Sequence, residues 1–535
     1  MMRFAPLIVA LVGALLFALL SPFSSWFVGL AGVCGLASAV GIWDLLQTKH
    51  SLRRNYPILA NIRFGLEKVR PEIRQYFLES DTDGTPFNRS KRAVAYQRAK
   101  GQLDKRPFGT QQDVYGNSFE WINHSVVPHP HGAHDFRIKV GGRECRRPYE
   151  LSLLNISAMS FGALSANAIR SLNKGAKLGG FAHDTGEGSI SRYHREFGGD
   201  LIWELGSGYF GCRNDDGTFS AERFSVQARS AQVKMIEIKL SQGAKPGHGG
   251  VLPGPKVSPE IAEARGVPQG VDCISPARHS AFNTPIEMMH FIAQLRELSD
   301  GKPVGFKLCI GHPWEFMAIC KAMLETKIYP DFIVIDGSEG GTGAAPLEFV
   351  DHIGTPLREG LVLARNCLVG VGLRDDIRLG ASGRIVTGFD MARILALGAD
   401  WCNAARGFMF ALGCVQAQSC HTDRCPTGVA TQNPWRQRGI VVADKAVRVR
   451  QFHDSTLAAL ADLVYAAGLA HPRELRPAHI LRRISTTEVN TFAELYPCLE
   501  NGELLLGTGN PRYAEAWALA DPNSFAPVSQ VRSAA

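Results

Sequence analysis

Three cysteines, Cys414, Cys420 and Cys425, stand in the pattern C-x5-C-x4-C with Pro426 directly after the last. Thiolates are the ligands of iron-sulfur centres, and three of them with no fourth nearby suit a [3Fe-4S] cluster, whose missing corner removes one ligand. A Cys3His zinc site using His421 is the rival reading, although His421 adjoins Cys420 and joint ligation of one tetrahedral ion is then awkward. Three unliganded structural cysteines are the other. Upstream, Leu379-Gly380-Ala381-Ser382-Gly383-Arg384, then Gly388, and Gly398-Ala399-Asp400 followed by Arg406-Gly407 form two glycine-bearing loops. Loops of this kind present backbone N–H groups and a helix N-terminus to a phosphate such as that of FMN, while any one of these glycines alone would pass for a turn residue. Lys239 and Lys307 each close an apolar, β-rich run. A cation there stabilises the negative charge that a reduced flavin gathers near N1; the plainer reading is a surface or ion-paired lysine. Gly341-Thr342-Gly343-Ala344-Ala345-Pro346 imitates a dinucleotide fingerprint but sits far from the first unit of any Rossmann domain. No strong nicotinamide motif is visible.

Elements able to hold these groups recur through the middle of the chain. Short β-rich runs occupy Leu151 to Ile156, Lys234 to Leu240, Pro303 to Cys309, Asp331 to Asp336, Ile377 to Ala381 and Trp401 to Ala405. Helix-period stretches such as Ile286 to Leu298 and Asp390 to Leu397 lie between the later ones. Strand, helix, strand order implies a parallel sheet, and loops rich in Gly, Lys and Ser after the strands imply an α/β fold of the (β/α)8 TIM-barrel type, with its site at the C-terminal mouth. The expected division is a helical hairpin over 1–43, a polar lead-in over 44–149, the barrel over 150–433 and a helical extension over 434–535. Helices are expected at Pro71 to Leu78, Ser90 to Lys100 and Asp444 to Ala467.

From Phe4 to Trp43 there is no charged residue, and only Ser21-Pro22-Phe23-Ser24-Ser25 breaks the apolar run. Two stretches near the short end of membrane-spanning length result. Arg3 precedes them, Lys49, Arg53 and Arg54 follow, and the turn has no basic residue, so a two-helix anchor in the cytoplasmic (inner) membrane with both ends and the catalytic body in the cytoplasm is expected. A cleaved signal peptide is the alternative, and the second apolar run argues against it. Over all 535 residues 45% are hydrophobic and 20% charged, the net charge of +8 is small for this length, and the basic residues occur as short pairs such as Arg146-Arg147. These values describe a globular body able to bury a core and give no nucleic-acid stripe. Nine of the twelve cysteines are scattered, which reads as a reducing compartment and not a disulfide scaffold.

Taken together the chain resembles the synthase domain of glutamate synthases, and especially the stand-alone FMN-binding glutamate synthase family. The matching runs are Met159-Ser160-Phe161-Gly162, Thr185-Gly186-Glu187-Gly188, Ile238-Lys239-Leu240-Ser241-Gln242-Gly243-Ala244-Lys245-Pro246-Gly247, Gly340-Gly341-Thr342-Gly343 and Cys425-Pro426-Thr427-Gly428-Val429-Ala430-Thr431-Gln432. The resemblance implies FMN, a [3Fe-4S] cluster and reductive amination of 2-oxoglutarate to glutamate. By the same match Lys239, Gln242 and Lys245 surround substrate and flavin, and Glu187 borders the substrate or the path of ammonia. Met159, Ser160, Lys307, Gly340, Gly341, Thr342, Ser382, Gly383, Arg384, Arg406 and Gly407 would hold the cofactor, and Cys414, Cys420 and Cys425 the cluster. The chain departs from the large synthases in three ways. It shows neither their glutamine-hydrolysing domain nor their C-terminal β-solenoid, so free ammonia or a separate glutaminase subunit is the expected nitrogen source. It also has Ser207-Gly208-Tyr209-Phe210-Gly211 where they have Ser-Gly-Arg-Phe-Gly, which removes a cation. A ferredoxin, a membrane carrier or a separate reductase is the expected electron donor. An FMN and iron-sulfur enzyme acting on another oxo or amino acid, or an electron-relay subunit, are the competing functions.

Overall fold

Apolar, β-branched runs bounded by Gly and Asp build the centre of the molecule, a closed barrel of eight parallel strands in a computed structural model that describes residues 2–130, 132 and 134–528. The strands are β1 Leu154–Ile156, β2 His183–Asp184, β3 Leu201–Leu205, β4 Val233–Lys239, β5 Val304–Leu308, β6 Phe332–Asp336, β7 Arg378–Ser382 and β8 Trp401–Ala404. β8 closes onto β1 with Cys402 opposite Leu154. Every residue of β3 and β5 is buried, as expected where a parallel sheet is covered on both faces. The expected run at Leu151 to Ile156 divides: Tyr149–Ser152 pairs antiparallel with Arg137–Val140, and β1 begins only at Leu154.

Helices cover the barrel and start where their caps dictate. Ser165 accepts from the Ala168 N–H ahead of Ala166–Gly179, and Gly180 ends that helix in the left-handed conformation. Thr284 and Glu287 form a capping box for Pro285–Leu298, and Thr387 with Asp390 does the same for Gly388–Ala396. Val442–Ala466 is the long helix expected near residue 444, and it packs on this layer. The Phe452 ring meets Phe408 edge-on at 5.1 Å, and a Cβ on Gly388 would lie 2.7 Å from the Leu460 backbone nitrogen, so only glycine allows that approach.

The chain separates into two compact units, 1–89 and 90–535, and the barrel belongs to the second. In the first, Ala5–Leu20 and Ser25–Leu46 are joined by the short turn Ser21–Phe23, and the Ser24 hydroxyl caps the second helix. Over Ala5–Phe23 and Ser25–Leu46 the mean hydropathies are 2.3 and 1.7, and both segments are long and apolar enough to cross a bilayer. The helix expected at Pro71 to Leu78 starts earlier. Pro71 lies inside Leu59–Ile73, and a wider π-type turn, Arg74–Leu78, follows within a few residues of the proline, which has no N–H for the helical ladder.

Candidate functional site

Inside the barrel, Lys307 of β5 stands among three buried carboxylates. Its Nζ lies 2.9 Å from Glu237, 3.7 Å from Asp184 and in direct contact with Glu204. Burial disfavours its charge, but the three acids more than offset this and hold the ammonium form. Three carboxylates against one cation leave excess negative charge in a dry interior. Burial accordingly pushes the Asp184 and Glu237 carboxyls above their ordinary range, against the pull of Lys307. Among the described residues this is the one group of three ligating side chains whose ligand atoms lie within 4.8 Å of one another, and the ammonium already supplies the charge a metal ion would bring. Lys307 thus has its charge engaged inside the barrel, and Lys239 has its own partner nearer the mouth.

Lys239 ends β4, and its Nζ lies 3.1 Å from Glu187 Oε1, with side-chain exposures of 9% and 17%. Burial raises the Glu187 carboxyl, but the Lys239 charge and hydrogen bond, with Arg265 and Lys245 beyond, outweigh it and hold Glu187 below the ordinary carboxylate range. The carboxylate lies against bare backbone. A Cβ at Gly206 would sit 2.8 Å from the Glu187 Cβ, and one at Gly250 would collide with Oε1. Lys245 is buried, and burial lowers its ammonium against the opposing pull of Glu187. Gln242 turns the chain between the two lysines, its carbonyl accepting from Lys245 N–H at 3.3 Å. The backbone N–H of Gly243 in turn donates to Asp336 Oδ2 at 2.7 Å, tying this loop to the end of β6.

Two residues here were not anticipated. Arg265 ends the helix Pro259–Arg265 and is buried, with its guanidinium 5.2 Å above the Phe210 ring. It reaches Ser160 Oγ at 3.4 Å and the Phe161 carbonyl at 3.3 Å, while its Nε has no hydrogen-bond partner. In sequence it reads as a basic residue at a helix C-terminus followed by glycine, which carries no functional signal. His279 is the second. Its Nε2 lies 2.9 Å from the Lys239 carbonyl and its Nδ1 3.0 Å from Tyr209 Oη, which also accepts from Ala281 N–H at 3.1 Å. Burial pushes His279 down to about 4, so the ring is neutral. The carbonyl then requires a proton on Nε2 and the Tyr209 hydroxyl donates to Nδ1. Tyr209, standing where the large synthases carry arginine, therefore orients His279, and through it the backbone of Lys239. Tyr209→Phe should lower kcat about tenfold with little change in KM, because it loosens the strand end without touching a ligand. Steady-state kinetics reads this, and a loss confined to KM would contradict it.

The remaining anticipated residues, Gly407 excepted, line the rim. Met159 and Ser160, after β1, press on Gly186 after β2. Gly186 has φ +65°, and a Cβ there would lie 2.6 Å from the Ser160 nitrogen. Gly340, Gly341 and Thr342 follow β6, and Ser382, Gly383 and Arg384 end and follow β7. Arg384 Nε donates to the Glu339 carbonyl at 3.0 Å, and Arg406 Nη2 to the Thr342 carbonyl at 3.2 Å. The loops after β6, β7 and β8 are thereby drawn together, and Ser382 Oγ lies 3.3 Å from Ser157 Oγ after β1. Gly407 faces away from the rim, toward Phe452, where a Cβ would lie 2.9 Å from the ring.

Arg406 also reaches the cysteine segment, with Nη1 3.9 Å from Cys420 Sγ. Lys256, buried and unforeseen, donates to the Cys420 carbonyl at 2.9 Å. Burial pushes the Cys414 thiol up to about 11. Burial also raises Cys425, but the Thr427 hydroxyl and the backbone N–H groups of Ala430, Thr427 and Val429 outweigh it and favour the thiolate. His421 is exposed.

Comparison with known proteins places this site inside a recognised region. Residues 133–470 match the family described as the conserved region in glutamate synthase. The glutamate synthase large subunit-like protein YerD of Bacillus subtilis is 38% identical over 482 residues, covering 83% of this chain and 91% of that protein. The archaeal glutamate synthase (NADPH) of Methanocaldococcus jannaschii is 35% identical over 322 residues, 60% of each chain. The archaeal-type enzyme of Thermotoga neapolitana is 37% identical over 279 residues, and the match spans 52% of each. The chain thus spans little more than half the length of these last two relatives.

Proposed function

The chain belongs to the glutamate synthase family, and on that premise we propose that it is an FMN-dependent oxidoreductase that forms glutamate by reductive amination of 2-oxoglutarate. The observation that carries this reading is the convergence of Lys239, Lys245 and Arg265 on the single carboxylate of Glu187 at the barrel mouth. Three cations against one acid leave net positive charge, which suits a dicarboxylate. Arg265, fixed over Phe210 and beside Ser160, is the cation assigned to a substrate carboxylate. Lys239 and Lys245 face the 2-oxo group and favour the negative charge that gathers there, and Glu187 borders the path of ammonia, which adds to the carbonyl carbon as water leaves. FMN, when bound, would supply hydride to the resulting substrate imine, with a proton from solvent completing the amine. Tyr209, in place of an arginine, favours a second reading in which the substrate is another oxo acid. Arg265 supplies a cation against the neighbouring Phe210 and keeps 2-oxoglutarate the better fit.

The residues fit both cofactors. The rim carries guanidinium groups of Arg384 and Arg406 held by carbonyl oxygens, beside the glycines 340, 341 and 383, a donor set matched to a phosphate and to close backbone approach. Cys414, Cys420 and Cys425, three thiols beside Arg406 and Lys256, would hold a [3Fe-4S] cluster that would pass single electrons to the flavin from a ferredoxin or a separate reductase. Ala5–Leu20 and Ser25–Leu46 act as a membrane anchor with both ends in the cytoplasm, supported by Arg3, Lys49, Arg53 and Arg54 at their flanks. Alkaline carbonate should leave the protein in the membrane fraction, and release into the wash overturns the anchor.

Titration of the oxidised flavin spectrum with 2-oxoglutarate tests the substrate assignment. Saturable perturbation is expected, and Arg265→Gln should weaken it by about 10–100-fold, the worth of one charge-assisted hydrogen bond. A spectrum indifferent to 2-oxoglutarate but responsive to another oxo acid would move the substrate, and indifference to all would favour an electron relay.

A further inference from the structure

We propose that the helix Leu59–Ile73, with the turn Arg74–Leu78 that continues it, lies flat on the cytoplasmic face of the membrane and binds anionic lipid headgroups. The inference rests on the reading of residues 5–46 as a membrane hairpin. Leu59, Ile62, Leu66, Val69, Ile73 and Tyr76 recur at spacings of three and four, which puts them on one helical stripe, and all are exposed, as are Phe77 and Leu78 beyond. A row of large apolar side chains along about 22 Å of helix does not stay in water without a partner. Arg63, Arg70 and Arg74, seven and then four residues apart, run along one edge of the stripe, where long basic side chains lay their stems on lipid and their heads among phosphates. From residue 49 to 78 there are seven Lys and Arg against two Glu, a local excess of +5. The ion pairs Arg63–Glu67 and Arg74–Glu79, at 2.9 and 3.1 Å, each leave the arginine more than half exposed and compete weakly with lipid phosphate.

Position favours the lipid surface over other occupants. Asp44, buried in the last turn of Ser25–Leu46, accepts from the Ile58 N–H at 3.0 Å and from the Asn61 side chain. A Cβ on Gly41 would lie 3.1 Å from Ile58 Cγ1. The start of the amphipathic helix is therefore clamped to the end of the second apolar helix. With that end at the bilayer boundary, the stripe begins at headgroup depth, where a basic amphipathic helix gains both apolar burial and attraction to negative lipids.

Hydrogen exchange of the full-length protein tests this, in vesicles of phosphatidylcholine alone and of phosphatidylcholine with one-quarter phosphatidylglycerol. Amides of residues 62–78 should exchange at least about tenfold more slowly in the anionic vesicles, an effect lost in high salt and in the triple variant I62E/L66E/V69E, while barrel amides keep their parent rates. If that variant fails to fold, R63Q/R70Q/R74Q, which keeps the apolar stripe, should lose the lipid dependence alone. Equal exchange in both vesicles would overturn the proposal. So would protection that follows protein density in place of lipid charge, since the same spacing suits a coiled coil with a second copy. A chain washed off by carbonate fails the anchor itself, whereas one that stays in the membrane without lipid-dependent protection fails only this inference.

Discussion

Lys239→Ala should lower the rate of glutamate formation by at least about 10³-fold, through the loss of a charge placed where negative charge develops. The side chain lies at the end of β4, 3.1 Å from Glu187, and is its largest source of stabilisation against burial. Removing it acts twice, because the substrate loses a cation and Glu187 is left in a poorly solvated pocket facing bare glycine backbone. Lys245 and Arg265 still face the carboxylate, so losing its nearest charge-assisted partner costs about 1–3 kcal/mol of stability. The sign of the pH dependence follows from Glu187. Its folded-state affinity for a proton is depressed in the parent, so the stability it contributes is complete above the unfolded value, about 4.3, and is lost as pH falls through the folded one. In the variant the largest offset to burial is gone while Arg265 and Lys245 remain, so the carboxyl keeps its proton to higher pH than in the parent. The stability gap between parent and variant should therefore be full near neutrality and close in acid. Urea unfolding between pH 4 and 8, beside single-turnover kinetics, measures both effects. A variant with parental turnover, or a gap that widens in acid, would remove Lys239 from the centre of the mechanism.

Cys420→Ser should abolish the iron-sulfur signal in electron paramagnetic resonance, and with it at least about 10²-fold of the rate at which a one-electron donor reduces the flavin. Cys420 is the partly exposed cysteine of the three, with Arg406 3.9 Å from its sulfur and Lys256 bound to its carbonyl. Serine replaces sulfur by an oxygen of similar shape at a site with room around it, so the barrel should unfold as the parent does. Two-electron chemical reduction of the flavin should also persist, which separates loss of the cluster from loss of the fold. Zinc in place of iron in anaerobically purified parent protein would contradict the cluster assignment, as would an unchanged signal in the variant.

Much of this arrangement was readable in the residues because barrels put their chemistry after strands that carry a strong apolar signal. Six of the eight strands announce themselves in this way, and Lys239 and the glycine loops after β7 and β8 follow directly from them, whereas Gln242 and Lys245 were marked by the resemblance to glutamate synthases. β2 and β3 escaped notice for physical reasons. His183–Asp184 is two residues long, and Leu201–Leu205 carries Glu204, a carboxylate whose presence in a buried strand makes sense only once Lys307 meets it across the barrel. Lys307 shows the same limit from the other side, since its neighbours in sequence are apolar and its three partners come from three other strands. Arg265 and His279 lie in the long segment between β4 and β5, where periodicity says nothing about which side chains turn inward. Tyr209 reads as a lost cation, and only the hydrogen bonds to His279 and Ala281 reveal its structural role.

The most direct measurement supplies the purified, cofactor-replete protein with a reduced one-electron donor, 2-oxoglutarate and ¹⁵N-labelled ammonium, and follows product by mass spectrometry. The account predicts glutamate labelled at its amino nitrogen, formed in proportion to electrons consumed, two for each molecule, and absent without 2-oxoglutarate. Donor oxidation that continues without labelled glutamate, or an amino acid product made only from a different oxo acid, would contradict it.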